Sequence, residues 1–356
     1  MGILVFIIIL AILVLVHEFG HFLAAKKNGV LVEEFGIGFP PRLYGKKIGE
    51  TLYSINLLPI GGFVRLYGEE YHDGKGIKGP LRSRTFVYKK PWQKTIIIVA
   101  GIIGNFLLAW VLITYLFTQG VPIPTNNVSI ESVQKGSPAY VAGLKPSDVI
   151  KSVTTSAKTF PISSADQIIT LSRTLGGKQV TVTIDKDGVE KNIVVTPRKN
   201  PPSGQGPLGI IVTTFVVKKY PWYQAPFYGL AHSFDITFRI VTELSKTVVQ
   251  LVSLKKPNVD VAGPIGIAKF TGEAIKFGNN AVLELMALLS LNLAVINILP
   301  FPALDGGRLV FVLYEWATKK RVNKVIEQYV NLFGIIILLS LAYVISVHDV
   351  MKLFNK

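Results

Sequence analysis

His17-Glu18-Phe19-Gly20-His21 combines residues that can hold a metal ion and hydrolyse an amide. Positions i and i+4 share one face of a helix, so His17 and His21 can present two imidazoles to one ion. Glu18 stands beside the first, where its carboxylate can take a proton from the attacking water and return it to the leaving amine. The pentapeptide is an HExxH zinc signature. It follows an apolar run, Ile3 to Val16, that contains no polar side chain. With five histidines in 356 residues, a chance match is rare. Histidines kept only for packing would be costly here, because ionisable groups inside a membrane span mark function. A zinc hydrolase needs water and a bilayer core holds almost none, so the pattern points to hydrolysis within the membrane.

Catalytic zinc takes three protein ligands and keeps a position for water. The chain has no cysteine, so its sites use histidine and carboxylate. Asp305 is the best third ligand, in Asn297-Ile298-Leu299-Pro300-Phe301-Pro302-Ala303-Leu304-Asp305-Gly306-Gly307. Pro300 and Pro302 break a helix just before it, and a broken helix at membrane depth is tolerated where it lines a protein cavity. Simpler roles compete. Asp305 could be the N-cap of the following helix. Asn297 could be interhelical glue rather than a hydrogen-bonding group for a substrate backbone.

The elements that must position these residues are mostly membrane spans. The chain is 49% hydrophobic, with a mean hydropathy of +0.44, which is too apolar for an ordinary soluble protein. Four segments approach the roughly 20 residues that a spanning helix needs: 1–25, which carries HExxH, 95–118, 281–304 and 329–348. The expected fold is therefore a multi-pass α-helical membrane protein of about four transmembrane helices. It adds a cytoplasmic-side, membrane-associated β-hairpin or sheet and one extracytoplasmic α+β domain. The first segment lacks the basic start of a signal peptide, and Lys26 and Lys27 lie on its far side. That asymmetry puts the N-terminus outside. Segment 26–94 carries 13 Lys/Arg against 6 Asp/Glu and stays inside with the basic stretch Thr318–Gln328. Segment 119–280 and both termini fall outside. Anionic lipid explains much of the net charge of +16, and no nucleic-acid module is recognisable.

Within 26–94, Val32–Phe39, Thr51–Asn56 and Leu57–Leu66 read as strands punctuated by Gly and Pro. Such a sheet either seals the inner mouth or pairs its edge with an extended peptide. Outside, residues 124–200 form a domain in which Val180–Ile184 and Asn192–Thr196 are joined by a turn at Asp187-Gly188. Its Gly136–Ile150 stretch resembles the core signature of bacterial PDZ domains, and an unrelated small α+β domain is the alternative. Residues 201–280 read as a Pro/Gly-rich linker and amphipathic helices. His232, Asp235, Arg239, Glu243 and Lys246 form one polar stripe on a helix there. That helix lies along the membrane surface or packs against the PDZ-like domain rather than spanning. Residues 305–328 hold the Asp-Gly-Gly segment and a cytoplasmic-side helix and loop.

The chain resembles the site-2 protease family of intramembrane zinc metalloproteases, and within it the bacterial PDZ-containing branch of regulator-of-sigma-E-protease type. The resemblance covers nearly the whole chain. It rests on HEFGH, Phe35-Gly36-Ile37-Gly38-Phe39, Leu58-Pro59-Ile60-Gly61-Gly62-Phe63-Val64, Gly104-Asn105-Phe106, the PDZ-like signature, Gly263-Pro264-Ile265-Gly266-Ile267-Ala268 and the Asn-Pro-Pro-Asp motif. It implies His17, His21 and Asp305 as ligands of one Zn2+ and Glu18 as general base. Asn297, Pro300 and Pro302 would shape the substrate site. Gly36, Gly38, Gly61, Gly62 and Phe63 would grip the substrate by strand pairing. It also implies a bacterial inner-membrane location, an active site toward the cytoplasm, single-span membrane proteins as substrates and an upstream site-1-type protease. Pro40 and Ile102 depart from the residues that many relatives carry, and neither touches the ligands. Two other functions make different demands. An inactive PDZ scaffold would fill a structural metal site with four ligands. A metal transporter would need polar residues along several spans, and the second span has little beyond Asn105.

Overall fold

The computed structural model describes residues 2–69, 80–186, 188–253, 263–320 and 322–354. Asp187 of the expected turn, Arg321 of the basic stretch and parts of segments 26–94 and 201–280 lie outside them. The chain divides into two compact units, one of Met1–Leu116 with Trp222–Lys356 and one of Phe117–Pro221.

Four helices of the first unit are long and apolar enough to cross a membrane: α1 (Gly2–Lys27), α2 (Pro91–Gln119), α7 (Asn279–Ile298) and α9 (Lys324–Phe354). Lys26 and Lys27 end α1, where cations suit the carbonyl end of the helix. Proline opens α2, at a position whose N–H has no helical partner. Lipid tails give helices no hydrophobic reason to associate, so close backbone contact must do it. A side chain at Gly20 would strike the Ala100 carbonyl, and one at Gly104 would come to 2.9 Å from the Val16 carbonyl. These glycines let α1 and α2 touch. Ser290 Oγ donates to the Asn105 carbonyl at 2.8 Å, and Ile9, Leu13 and Met286 pack with Leu108 and Leu112. Both contacts add α7 to the pair.

The third span ends at Ile298 rather than at residue 304, because the chain must leave the helix before Pro300. Six residues later α8 (Asp305–Thr318) begins. Two further helices, α5 (Ala225–Val252) and α6 (Pro264–Phe277), lie between the units' boundary and α7. The helix with the polar stripe is α5, and it packs against α2. Trp110 Nε1 donates to the Pro226 carbonyl at 2.8 Å, and the Phe106 and Phe234 rings stand 5.0 Å apart. Asp235, Arg239, Glu243 and Lys246 remain outward, paired along the helix. Asp349 of α9 accepts from the Gly263 and Gly266 amides at the start of α6. This is the structural use of the Gly-Pro-Ile-Gly motif.

The inner strands form a sheet from two doubled-back chains, β1 (Val32–Ile48) and β2 (Thr51–Leu66). Ile48 and Thr51 close a hairpin over Gly49 (φ +61°). Phe35, Gly36 and Ile37 pair on one side with Tyr53, Ser54 and Ile55, and on the other with Val64, Phe63 and Gly62. The 34–37 segment is thus an inner strand, and the 62–65 segment is an edge. Glu34 is buried between them and accepts from Ser54 Oγ at 2.6 Å and Arg42 Nη2 at 2.9 Å. Exposed Phe39, Leu43, Ile48, Leu57 and Leu58 give the sheet an apolar surface suited to lipid.

The second unit is a sheet in the order β7-β6-β4-β3-β8, with β5 on β4. Its strands are β3 (Val121–Val133), β4 (Val149–Thr154), β5 (Thr159–Pro161), β6 (Val180–Lys186), β7 (Val189–Val195) and β8 (Ile210–Lys218). A short α3 (Pro138–Val141) is capped by Ser137, and α4 (Ala165–Thr174) by a reciprocal Ser164–Gln167 capping box. Val128, Ile150, Ile168, Val182 and Leu208 share one core. The unit is wider than 124–200. β8 lies beyond the Pro/Gly-rich stretch, yet it pairs with β3 from Val121 to Val133.

Candidate metal centre

His17 and His21 occupy one face of α1, and Asp305 is the first residue of α8. The Nε2 atoms of the two imidazoles lie 3.1 Å apart. Asp305 Oδ2 lies 2.9 Å from His17 Nε2 and 3.1 Å from His21 Nε2. Among the described residues, these three alone form a group of ligand type that could hold a metal ion. The N-cap of α8 is Leu304, and no side chain caps it. Asp305 is therefore free for another partner.

The donor chemistry fits a cation. His21 Nδ1 lies 2.8 Å from the Ile97 carbonyl, which can only accept. His21 therefore carries its proton on Nδ1 and turns a bare Nε2 toward the group. The Asn105 amide lies 3.4 Å from His17 Nδ1. With its oxygen toward the ring it would take a proton from Nδ1, and Asn105 Oδ1 otherwise has no partner. Asp305 Oδ2 also lacks a hydrogen-bond donor. Three electron-pair donors within about 3 Å repel one another unless a positive ion lies among them.

Glu18, next along α1, takes a hydrogen bond from the Val64 amide of β2 at 3.1 Å. The Val64 N–H thus points away from β1. A cavity of about 80 Å³ opens beside Glu18, His21 and Asp305, with Val64, Glu69 and Arg308 in its wall. This is room for several water molecules.

The other expected site residues are distributed unevenly. Asn297 Nδ2 lies 3.4 Å from His17 Nε2, close to the metal group. Pro302 packs against Gly334 of α9, where an added Cβ would come to 2.6 Å from the Pro302 carbonyl oxygen. Pro300 is exposed. Gly61 and Gly62 are buried against Val14 and Leu15 of α1. Gly36 has strand partners on both sides, so it offers no edge for a substrate. A Cβ there would strike the Phe63 ring, and one on Gly38 (φ +78°) would strike the Leu58 carbonyl. Gly36 and Gly38 thus serve close strand packing.

Three neighbours received no role in the site from the sequence, although Asn105 belongs to one of its motifs. A Cβ on Gly101 of α2 would come to 2.6 Å from His21 Cε1 and 2.9 Å from His17 Cε1. The Asn105 side chain lies 3.4 Å from His17 Nδ1. Arg308 Nη1 pairs with Glu69 Oε1 at 2.6 Å. The only available signal was the presence of two small residues, Gly101 and Gly104, within an apolar span.

Residues 5–341 match the model of peptidase family M50. A zinc metalloprotease of Clostridium perfringens is 34% identical over 342 residues, covering 95% of each chain. The regulator of sigma-W protease RasP of Bacillus subtilis is 29% identical and covers 99% of each. The zinc metalloprotease RasP of Geobacillus kaustophilus is likewise 29% identical, over 99% of this chain and 98% of its own. Four helices long and apolar enough to cross a membrane, and a group of two histidines and one carboxylate, agree with these matches: the chain belongs to peptidase family M50, the site-2 proteases, and is a zinc metalloprotease of the membrane.

Proposed function

We propose that the protein cleaves single-span membrane proteins within or near their transmembrane segment, such as an anti-sigma factor already trimmed by a site-1-type protease or a signal-peptide remnant. The observation that carries this reading is the meeting of His17, His21 and Asp305 between helices of spanning length, with Glu18 alongside. These three residues would hold zinc, and Glu18 would be the general base. Zinc supplies Lewis-acid polarisation of the scissile carbonyl and favours deprotonation of the attacking water. Glu18 takes that proton and delivers it to the leaving amine. Its alignment comes from the Val64 amide, while Ile97 and Asn105 orient the imidazoles. The Asn297 amide, beside His17, holds the substrate backbone. The outer edge at Gly61, Gly62 and Phe63 pairs with the extended chain, once β2 and α1 part enough to admit it.

The positive-inside bias supports an active site facing the cytoplasm, with both termini and the second unit outside. We read that unit as a PDZ domain. In support, β8 is a sheet edge beside α4, and a cavity of about 60 Å³ there is lined by Ile168, Arg173, Leu208, Gly209 and Ile210. The sigma-W name of the Bacillus subtilis relative supports an anti-sigma substrate class. The test is Glu18→Gln in the full-length protein with a model transmembrane substrate. Zinc content should stay at one per chain and cleavage should fall about 10²–10⁴-fold. Wild-type cleavage by a zinc-loaded variant would refute the assignment.

A further inference from the structure

Asp305, Arg308, Val312 and Glu315 follow one another at steps of three, four and three, which puts them on one face of α8. Each has a different partner. Asp305 meets the imidazoles, and Val312 is buried. Arg308 pairs with Glu69 at 2.6 Å. Glu315 Oε2 pairs at 2.8 Å with Lys94 Nζ, a nearly buried ammonium at the start of α2. The face that delivers the carboxylate is thus fastened by an ion pair one turn away and by a second near its far end. Glu69 lies three residues beyond the end of β2, the strand whose Val64 amide holds Glu18. The short stretch Val64–Glu69 therefore grips both Glu18 and the helix of Asp305. All four side chains, Glu18, Glu69, Asp305 and Arg308, border the same cavity.

We infer that Arg308 and Glu69 are positioning residues of the metal centre: their ion pair ties α8 to the end of β2 and so sets the place of Asp305 relative to Glu18. The pair touches no ligand atom and acts through the helix. Its effect rests on the reading of Asp305 as third ligand and Glu18 as base. Residues that orient a metal's ligands typically change metal affinity or activity by about 10–100-fold when removed. A salt link that only stabilised the fold would leave the spectrum of the bound metal unchanged.

The experiment uses the full-length protein in detergent, with Co2+ in place of Zn2+ as a spectroscopic probe and the zinc form for kinetics. Arg308→Gln and Glu69→Gln should each shift the visible cobalt spectrum and lower kcat by about 10–100-fold with little change in KM. The exchanged pair Arg308→Glu with Glu69→Arg should recover most of that loss. Arg308→Lys, which keeps a cation at this half-exposed position, is the milder variant and should fall between. The inference is overturned if the single variants keep both the wild-type spectrum and kcat, or if the exchanged pair is no better than they are. Asp305→Asn separates the two levels. If cobalt affinity and spectrum survive that change, Asp305 is not a ligand and the underlying reading fails. If they do not survive it while the Arg308 and Glu69 variants look native, only the positioning role fails.

Discussion

Gly101→Ala tests whether the centre depends on a missing side chain. The new methyl would stand 2.6 Å from His21 Cε1 and 2.9 Å from His17 Cε1. Ordinary carbon contacts begin near 3.5 Å, so at least one ring must retreat by roughly 0.6–0.9 Å. His21 cannot tilt away without breaking the Nδ1–H bond to Ile97, and the backbone of α2 is held against α1 at Gly104. A displacement approaching 1 Å at a reacting group costs about 100-fold in rate. Alanine is also the better helix former, by about 0.8–1 kcal/mol. The expected result is a split: folding at least as stable as wild type, with zinc affinity down tenfold or more and cleavage down about 100-fold. The assays are thermal unfolding of the metal-free protein, zinc retention against a chelator, and cleavage of a transmembrane reporter. Wild-type zinc retention and cleavage in Gly101→Ala would refute the placement of Gly101 against the imidazoles.

Other changes probe the scaffold. Lys94→Met removes the ammonium that Glu315 Oε2 meets at 2.8 Å and should cost about 1–3 kcal/mol; adding Glu315→Leu should return part of it, read as the midpoint of thermal unfolding. Asp349→Ala removes the acceptor shared by the Gly263 and Gly266 amides and should cost about 1–2 kcal/mol, with faster amide exchange at the start of α6 as the local signature. Gly209→Val puts a branched side chain at φ +70° and into Ser137, so the isolated unfolding transition of the second unit should move down by about 1–3 kcal/mol while zinc binding is unchanged.

The spans and the chemistry were legible because each is written locally. HEFGH places its two imidazoles by helical spacing alone, and Asp305 follows from the need for a carboxylate at one depth. The route of the inner sheet was not legible. Strands β1 and β2 each double back, and both faces of the sheet are rich in apolar residues, so the alternation that normally fixes register carries little information. Nothing local therefore marks Gly36 as a position paired on both sides. The same limit hid β8. Its pairing with β3 spans about 80 residues of chain, and nothing local marks it. Gly101 was unreadable for another reason: a glycine in an apolar span shows that something comes close, and only the assembled helices reveal that it is the His17 and His21 imidazoles.

The burial of Gly61 and Gly62 against α1 bears on safety as much as on binding. A hydrolase embedded in a membrane is surrounded by apolar helices, each a chemical candidate for cleavage at very high local concentration. An edge that stood open would make selectivity depend on weak differences between them. In this structure the edge is closed by α1 itself, and β2, the strand that carries the edge, holds the Val64 amide on Glu18 of that helix. Under the proposed function, a chain that forces its way in must disturb the Val64–Glu18 hydrogen bond as it arrives. On that same proposal, random encounters are unproductive by default, and cleavage is reserved for a chain held there long enough for Val64 and Glu18 to meet again.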